Sequence, residues 1–323
     1  MAVCDGRSLL SGPPGGIYPV AFFRYLARLH PLAAVARPAN NTTSPAPAAQ
    51  DASPMWFTLA AAVVFAQTPA PAPAGKPALT NVRSTFGSLG ASRPAGSLVP
   101  GDTLFIAFDI EGVPVDADNK AFYAMAMDVT DSAGKVLYKQ EPAAKADFVP
   151  FGGKKLPGQA FIAVGQDQPA GDYTLKITVT EPASKQSTTL AHKFTVGPKA
   201  FAVAGVYVSV DDLGQIPAST SAVVGQSVFV HYGVVGFNLG ANKQPDVAVE
   251  MTPLDEAGTP TMAKPSQFKF ATAVDEMYPG LRGRYLVPVT RPGKFTIRLT
   301  ANDALTKKTA TFLLPLTAVA PAN

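Results

Sequence analysis

Cysteine occurs once in 323 residues, at Cys4, so neither an intrachain disulfide nor a cysteine-based metal site can form. Tryptophan also occurs once, at Trp56, and histidine only at His30, His192 and His231. Histidines this few and this scattered do not make a three-histidine zinc site or a histidine-based triad. Charged residues are 15% of the chain. Half of the net charge of +4 lies near the start, where the first 66 residues hold Arg7, Arg24, Arg28 and Arg37 against Asp5 and Asp51. The remainder is close to neutral with its charges interspersed, which gives little field to hold a phosphate backbone, so nucleic acid is not an expected partner. A Gly-x-Ser-x-Gly elbow, a Walker loop and a dinucleotide fingerprint are all missing. Proline, in contrast, is abundant at 31 residues.

The first quarter of the chain has little period of any kind. Residues 1–54 are low in complexity and broken by GPPGG (12–16) and SPAP (44–47), and are expected to be disordered or translated upstream sequence. The apolar stretch 17–36 is interrupted by Pro19 and Pro31 and is too short to span a bilayer. Residues 55–66, MWFTLAAAVVFA, read as the apolar region of a secretory signal, with the small residues Val64 and Ala66 placed for cleavage. The Pro/Ala tract 67–78 reads as an extended spacer. These features predict export to the periplasm, the cell surface or the medium, with no transmembrane span in the mature chain.

The rest of the chain is one unit written twice. GDTLFIAFDIEG (101–112) returns as GQSVFVHYGVVG (225–236), with Gly225 lying 124 residues after Gly101. The match runs without a gap from Thr80 to Gly134 and from Ala204 to Gly258. Apolar residues alternate in both copies: Leu104, Ile106, Phe108 and Ile110, then Val228, Val230, Tyr232 and Val234. Period two marks a strand with one buried face. PAGDYTLKITV (169–179) likewise matches RPGKFTIRLTA (291–301), and the last strands are aligned through Phe194 and Phe312. Each copy reads as about seven short strands, with turns at Pro100-Gly101, at 132–134, at 155–158 and at 169–171. The fold class is therefore all-β: two tandem antiparallel sandwiches over 79–197 and 201–319, joined by a short linker at 196–200 and set end to end with little swing.

The Pro-Gly-Asp turn before an alternating strand, the Asp-x-Ala-Gly-Lys hairpin (131–135) and the PAGDYTLKITV strand resemble the Ig-like domains of bacterial exported proteins, of macroglobulin and fibronectin type. The resemblance covers both repeats. It implies an export-associated structural or binding module. The Cys…Trp…Cys pattern of antibody domains and the thioester motif of full macroglobulins are absent.

Few residues qualify as a site, and no cofactor is expected. Ser132-Ala-Gly-Lys135 matches a Ser-x-x-Lys nucleophile motif but sits on a hairpin turn without its companion motifs. His231 falls on the face opposite Val230 and Tyr232 and is expected to be exposed. The acidic pairs Asp116/Asp118 and Asp211/Asp212 lie in loops where calcium could be held; Lys120 spoils the first, leaving Asp211 and Asp212 as the weak metal candidates. Sugars usually stack on exposed aromatics, and Tyr278 and Phe151 are the loop aromatics to inspect. The expectation is a non-enzymatic module that docks an envelope or extracellular protein by strand addition. The alternatives are a carbohydrate-binding pair and an accessory region of an envelope enzyme or protease-inhibitor system.

Overall fold

A computed structural model describes residues 76–274 and 280–322. The signal-like segment, the spacer up to residue 75, His30 and Tyr278 lie outside the described residues. In the first repeat the strands are β1 (Ala78–Thr85), β2 (Thr103–Glu111), β3 (Lys120–Asp131), β4 (Val136–Phe148), β5 (Lys155–Ala163), β6 (Gly171–Thr180) and β7 (Ser187–Val196). The second has β8 (Ala202–Ser209), β9 (Ser221–Val223), β10 (Ser227–Val235), β11 (Val247–Leu254), β12 (Ser266–Phe270), β13 (Leu281–Pro288), β14 (Gly293–Asp303) and β15 (Lys308–Val319).

The sheets run β1-β2-β5 and β4-β3-β6-β7 in the first repeat, and β13-β10-β8 and β12-β11-β14-β15-β9 in the second. Each repeat is thus an all-β sandwich of two facing sheets. The alternating residues of β2 and β10 point inward as their period requires, with Ile106 at 1% exposure and Ile110, Val230 and Val234 at 0%. Burying each such side chain stabilises by about 1.5–3 kcal/mol. The turns into these strands need positive φ, which is why glycine stands there: Gly101 is at 92° and Gly225 at 98°.

Three sequence expectations are corrected. The stretch 155–158 is not a turn: it opens β5, with Pro157 opposite Asp109. β5 is an edge strand, where a missing N–H costs no ladder bond. The last strands also align differently. Leu190 lies opposite Ile177 and Phe312 opposite Leu299, and Ile177 and Leu299 are matching positions, so the counterpart of Phe312 is Leu190, not Phe194. Finally, the second sandwich has an eighth strand, β9, which pairs in parallel with the end of β15. In the first sandwich the same feature shrinks to one parallel bridge, Leu98 to Val196.

Both first strands carry a bulge. The β1 register shifts between Thr80 and Arg83, and the β8 register shifts where His231 gives way to Gly233 on β10. Asn81 (φ 51°) and Gly205 (φ 59°) occupy matching left-handed positions there. In the second sandwich this bulge shapes the junction with the first.

Candidate functional site

The junction between the sandwiches is built by the loop joining β1 to β2. Phe86 leaves the first sandwich and is 5% exposed inside the core of the second. Its ring meets Phe312 of β15 edge-on at 5.9 Å. Next to it, Gly87 passes so close to β8 that an added Cβ would stand 2.8 Å from the Tyr207 Cβ. The Ala91 N–H donates to the Thr220 hydroxyl at 2.7 Å. Phe86 therefore closes the gap between β8 and β15.

A buried ion pair fixes the same junction. Asp102 is 2% exposed. Its Oδ2 accepts from Arg93 Nη2 at 2.6 Å, and its Oδ1 accepts from the N–H of Thr103 at 2.8 Å and of Gly205 at 2.8 Å. The left-handed bulge at Gly205 turns that N–H out of the β8 ladder and toward the carboxylate. Arg93 also lies 5.8 Å from the Phe312 ring centroid. Both partners belong to the first repeat and the pair itself adds little net stability. What crosses the junction is the Gly205 N–H bond and the Phe312 ring, and parting the sandwiches would strip both from the buried pair.

His231 is not exposed as expected. It is partly buried and stacks on Tyr207 at 4.8 Å with 7° between the rings. Ser209 Oγ donates its one hydrogen to the Asp211 carbonyl at 2.6 Å. At the 2.7 Å contact with His231 the hydroxyl therefore accepts, and Nε2 carries the proton. Burial pushes the imidazole down to about 4, the hydrogen bond at the Asp211 backbone opposing and Arg284 adding to the effect. Ser209 is 0% exposed, so this serine–histidine contact presents no nucleophile to solvent. His192 lies opposite Leu175, on the side facing the core, half-buried and 3.4 Å from Ser84. Burial lowers its basicity too.

The loop carboxylates hold backbone. Asp211 takes the N–H of Gln215 and of Ile216, while Asp212 pairs with Arg284 at 3.3 Å. Asp116 caps its turn through the N–H of Asp118 and Lys120. Among the described residues no three or more His, Cys, Asp or Glu gather as a metal set. In the Ser132-Ala-Gly-Lys135 turn, Asp131 accepts from Ala133 and Lys135, as Asp255 accepts from Ala257 and Thr259 in the second copy. This shared bonding makes the motif a hairpin device.

One corner of the first sandwich is aromatic. Phe151 is 100% exposed, Phe148 66% and Phe122 47%. Phe148 lies opposite Lys120 and Phe122 opposite Ala146, so the two rings are diagonal neighbours on the outer face. Phe151 follows in the turn that closes β4, where the Gly152 N–H donates to the Val149 carbonyl at 3.1 Å. Sequence inspection singles out Phe151 but misses Phe122 and Phe148, which the β3–β4 register brings beside each other. At the place of Phe122 the second sandwich has Asp246, bonded to Lys269 at 2.9 Å. These two line a shallow hollow of about 450 Å³ together with Asn302, Asp303, Lys307 and Lys308. The two outer faces thus differ in kind: one aromatic, one charged.

No protein-family model matches the chain, and no curated protein matches it. Among solved structures, it is similar to the C-terminal domain of the Streptococcus agalactiae antigen I/II polypeptide BspA, with 9% identity, a TM-score of 0.26, and coverage of 74% of this chain and 100% of that one. It is similar also to the C-terminal domain of the Streptococcus pyogenes antigen I/II-family protein AspA, at 10% identity, TM-score 0.25, covering 75% and 99%. A trypsin-activated alpha-2-macroglobulin from Escherichia coli gives 10% identity and TM-score 0.26, covering 77% of this chain and 17% of that protein. Scores of this size do not extend any of those proteins' roles to this chain.

Proposed function

We propose that this protein is a non-catalytic, exported spacing and binding module of the cell envelope. The observation that carries the reading is the junction, where Phe86 and the Gly205 N–H bond to Asp102 tie two sandwiches into one unit. Such a tie holds a face at a set distance and angle. Two groups with displaced protonation favour the same view, because both have structural partners. His231 bonds Ser209. Asp303 is 1% exposed; burial alone would raise its carboxyl, but the Thr306 hydroxyl and three backbone N–H groups hold it below the usual 3.8. Among the described residues no helix is long and apolar enough to cross a membrane.

The face offered for binding is the corner of β3 and β4. β4 is a sheet edge of 13 residues, while its counterpart β12 has only 5. Pro142 sits at a bulge in the middle of β4, between exposed Lys139 and half-buried Lys145, a pattern that discourages edge-to-edge pairing there. The remaining segment 143–148 is open to an extended partner strand, which would run beside Phe148. A second reading, sugar binding, is favoured by the Phe122, Phe148 and Phe151 rings themselves, since flat apolar rings stack on sugar faces.

Two screens of the full chain separate these readings: a glycan array and a display library of extended peptides, each repeated with Phe148→Ala and Phe151→Ala. Peptide capture lost in Phe148→Ala supports protein binding. Glycan capture lost in Phe151→Ala transfers the corner to the sugar reading. Hydrolytic activity abolished by one acidic substitution contradicts the non-catalytic assignment.

A further inference from the structure

The repeat shows what covers one end of a sandwich, and the matching end of the second sandwich is bare. The loop that carries Phe86 across the junction has its counterpart at 210–216. Both loops close with the same kind of bond, Phe86 N–H to the Ala91 carbonyl and Val210 N–H to the Ile216 carbonyl, each at 3.0 Å. Phe86 is buried in the next sandwich, but Val210 is 52% exposed, Leu213 57% and Ile216 52%. Val210 therefore stands in solvent at the place where the first repeat buries its docking ring, whereas Leu213 matches Leu89, itself 49% exposed beside the formed junction.

The receiving half also exists without an occupant among the described residues. In the second sandwich Phe86 covers a gap lined by Val206 on β8 and Phe312 on β15. The counterparts in the first sandwich are Val82 on β1 and Leu190 on β7, with Leu79 beside them, and all three are only partly buried. The same mapping puts Asp211 against Arg83 where Gly87 meets Tyr207, so opposite charges replace a close apolar approach.

We propose that the protein assembles head to tail, the 210–216 loop of one copy docking on the β1–β7 edge of the first sandwich of a second copy. Because the two surfaces differ, the contact is heterologous and propagates instead of closing as a two-fold dimer. It is weaker than the junction within the chain. Gln226 and Pro217 stand where Asp102 and Arg93 form the ion pair. His192 and Ser84 stand where the second sandwich buries Leu314 and Val208. Asp211 also has a Cβ that Gly87 lacks, which holds the copies further apart. The assembly is therefore concentration-dependent. It requires neither a peptide nor a sugar ligand and is independent of the binding role of the aromatic corner.

Sedimentation of the full chain from micromolar to millimolar concentration tests it, with Val210→Glu altering the donor loop and Arg83→Glu the acceptor edge. These side chains are exposed or half-buried, and circular dichroism checks that the variants keep their fold. The wild type should grow beyond the mass of two chains as concentration rises. Each variant alone should stay at one chain, and the two mixed should stop at two, since one intact donor then meets one intact acceptor. A wild type that stays at one chain overturns the proposal. So does a donor variant that associates like the wild type, or a mixture that stays at one chain.

Discussion

The two sandwiches share a frame but not a border. Both bury the same alternating residues, turn at the same glycines and bulge at the same place in the first strand. They differ at the gap between first and last strands. The second sandwich closes that gap with Phe86, borrowed from the first. The first has no such ring and lines it with the polar pair His192 and Ser84, 3.4 Å apart, and the partly buried Val82 and Leu190. A gap closed by a neighbour's side chain makes one fold depend on the other, whereas a gap that takes nothing from the neighbouring sandwich does not. Dependence should therefore run one way.

The largest effect expected is from a buried charge. Ile106→Asp places an unpaired carboxylate at a position 1% exposed and should cost more than about 4 kcal/mol. It should unfold the first sandwich and shift the melting of the second, whose core loses Phe86. Val230→Asp, at 0% exposure, should unfold the second sandwich and leave the first melting almost unchanged. Equal coupling in both directions, seen by calorimetry, would break the comparison.

Next comes the ion pair. Asp102→Ala leaves Arg93 and the Gly205 N–H without their acceptor and should cost about 3–5 kcal/mol. Asp102→Asn keeps the shape and should cost less. The counterpart Gln226 is exposed and bonds the Val223 N–H at 2.8 Å, so Gln226→Ala should change stability by less than about 1 kcal/mol in denaturant titration.

A further effect is one of acidity. Burial holds His231 at about 4, below its ordinary 6.5. The unfolded chain takes up this proton below pH 6.5 and the folded chain only below about 4, so stability is full above 6.5 and falls as the pH drops toward 4. The loss is on the order of 2–3 kcal/mol, and it should appear in the second sandwich. His231→Gln should flatten that slope; an unchanged slope sinks the assignment. His192 contributes a loss of the same sign in the first sandwich, because burial lowers its basicity too.

The all-β fold and its inward faces are legible in the sequence because period two is a local property of strands. Ile106, Leu175 and Val230 can be placed by counting. What depends on pairing is not legible. The Phe194–Phe312 match rests on sequence likeness, whereas the β6–β7 and β14–β15 ladders set Leu190 against Phe312. Counting misplaces His231 because a face opposite the core need not be open: Tyr207, on the neighbouring strand, covers it. Phe122 and Phe148 meet only through the β3–β4 register. Phe86 and Val210 are both apolar, so nothing in their alignment marks one as shared between sandwiches. The one signal is a charge pair, Arg93 and Asp102, present in one copy and replaced by Pro217 and Gln226 in the other.

Hydrogen exchange on Phe86→Ala in the full chain tests the one-way dependence most directly. Removing the ring leaves a void beside Phe312 and should lower the stability of the second sandwich by about 3 kcal/mol. Amides of β8, β14 and β15 should exchange on the order of 100-fold faster, while those of β2, β3 and β6 keep their protection. Lost protection confined to the first sandwich, or none in either, would contradict the account.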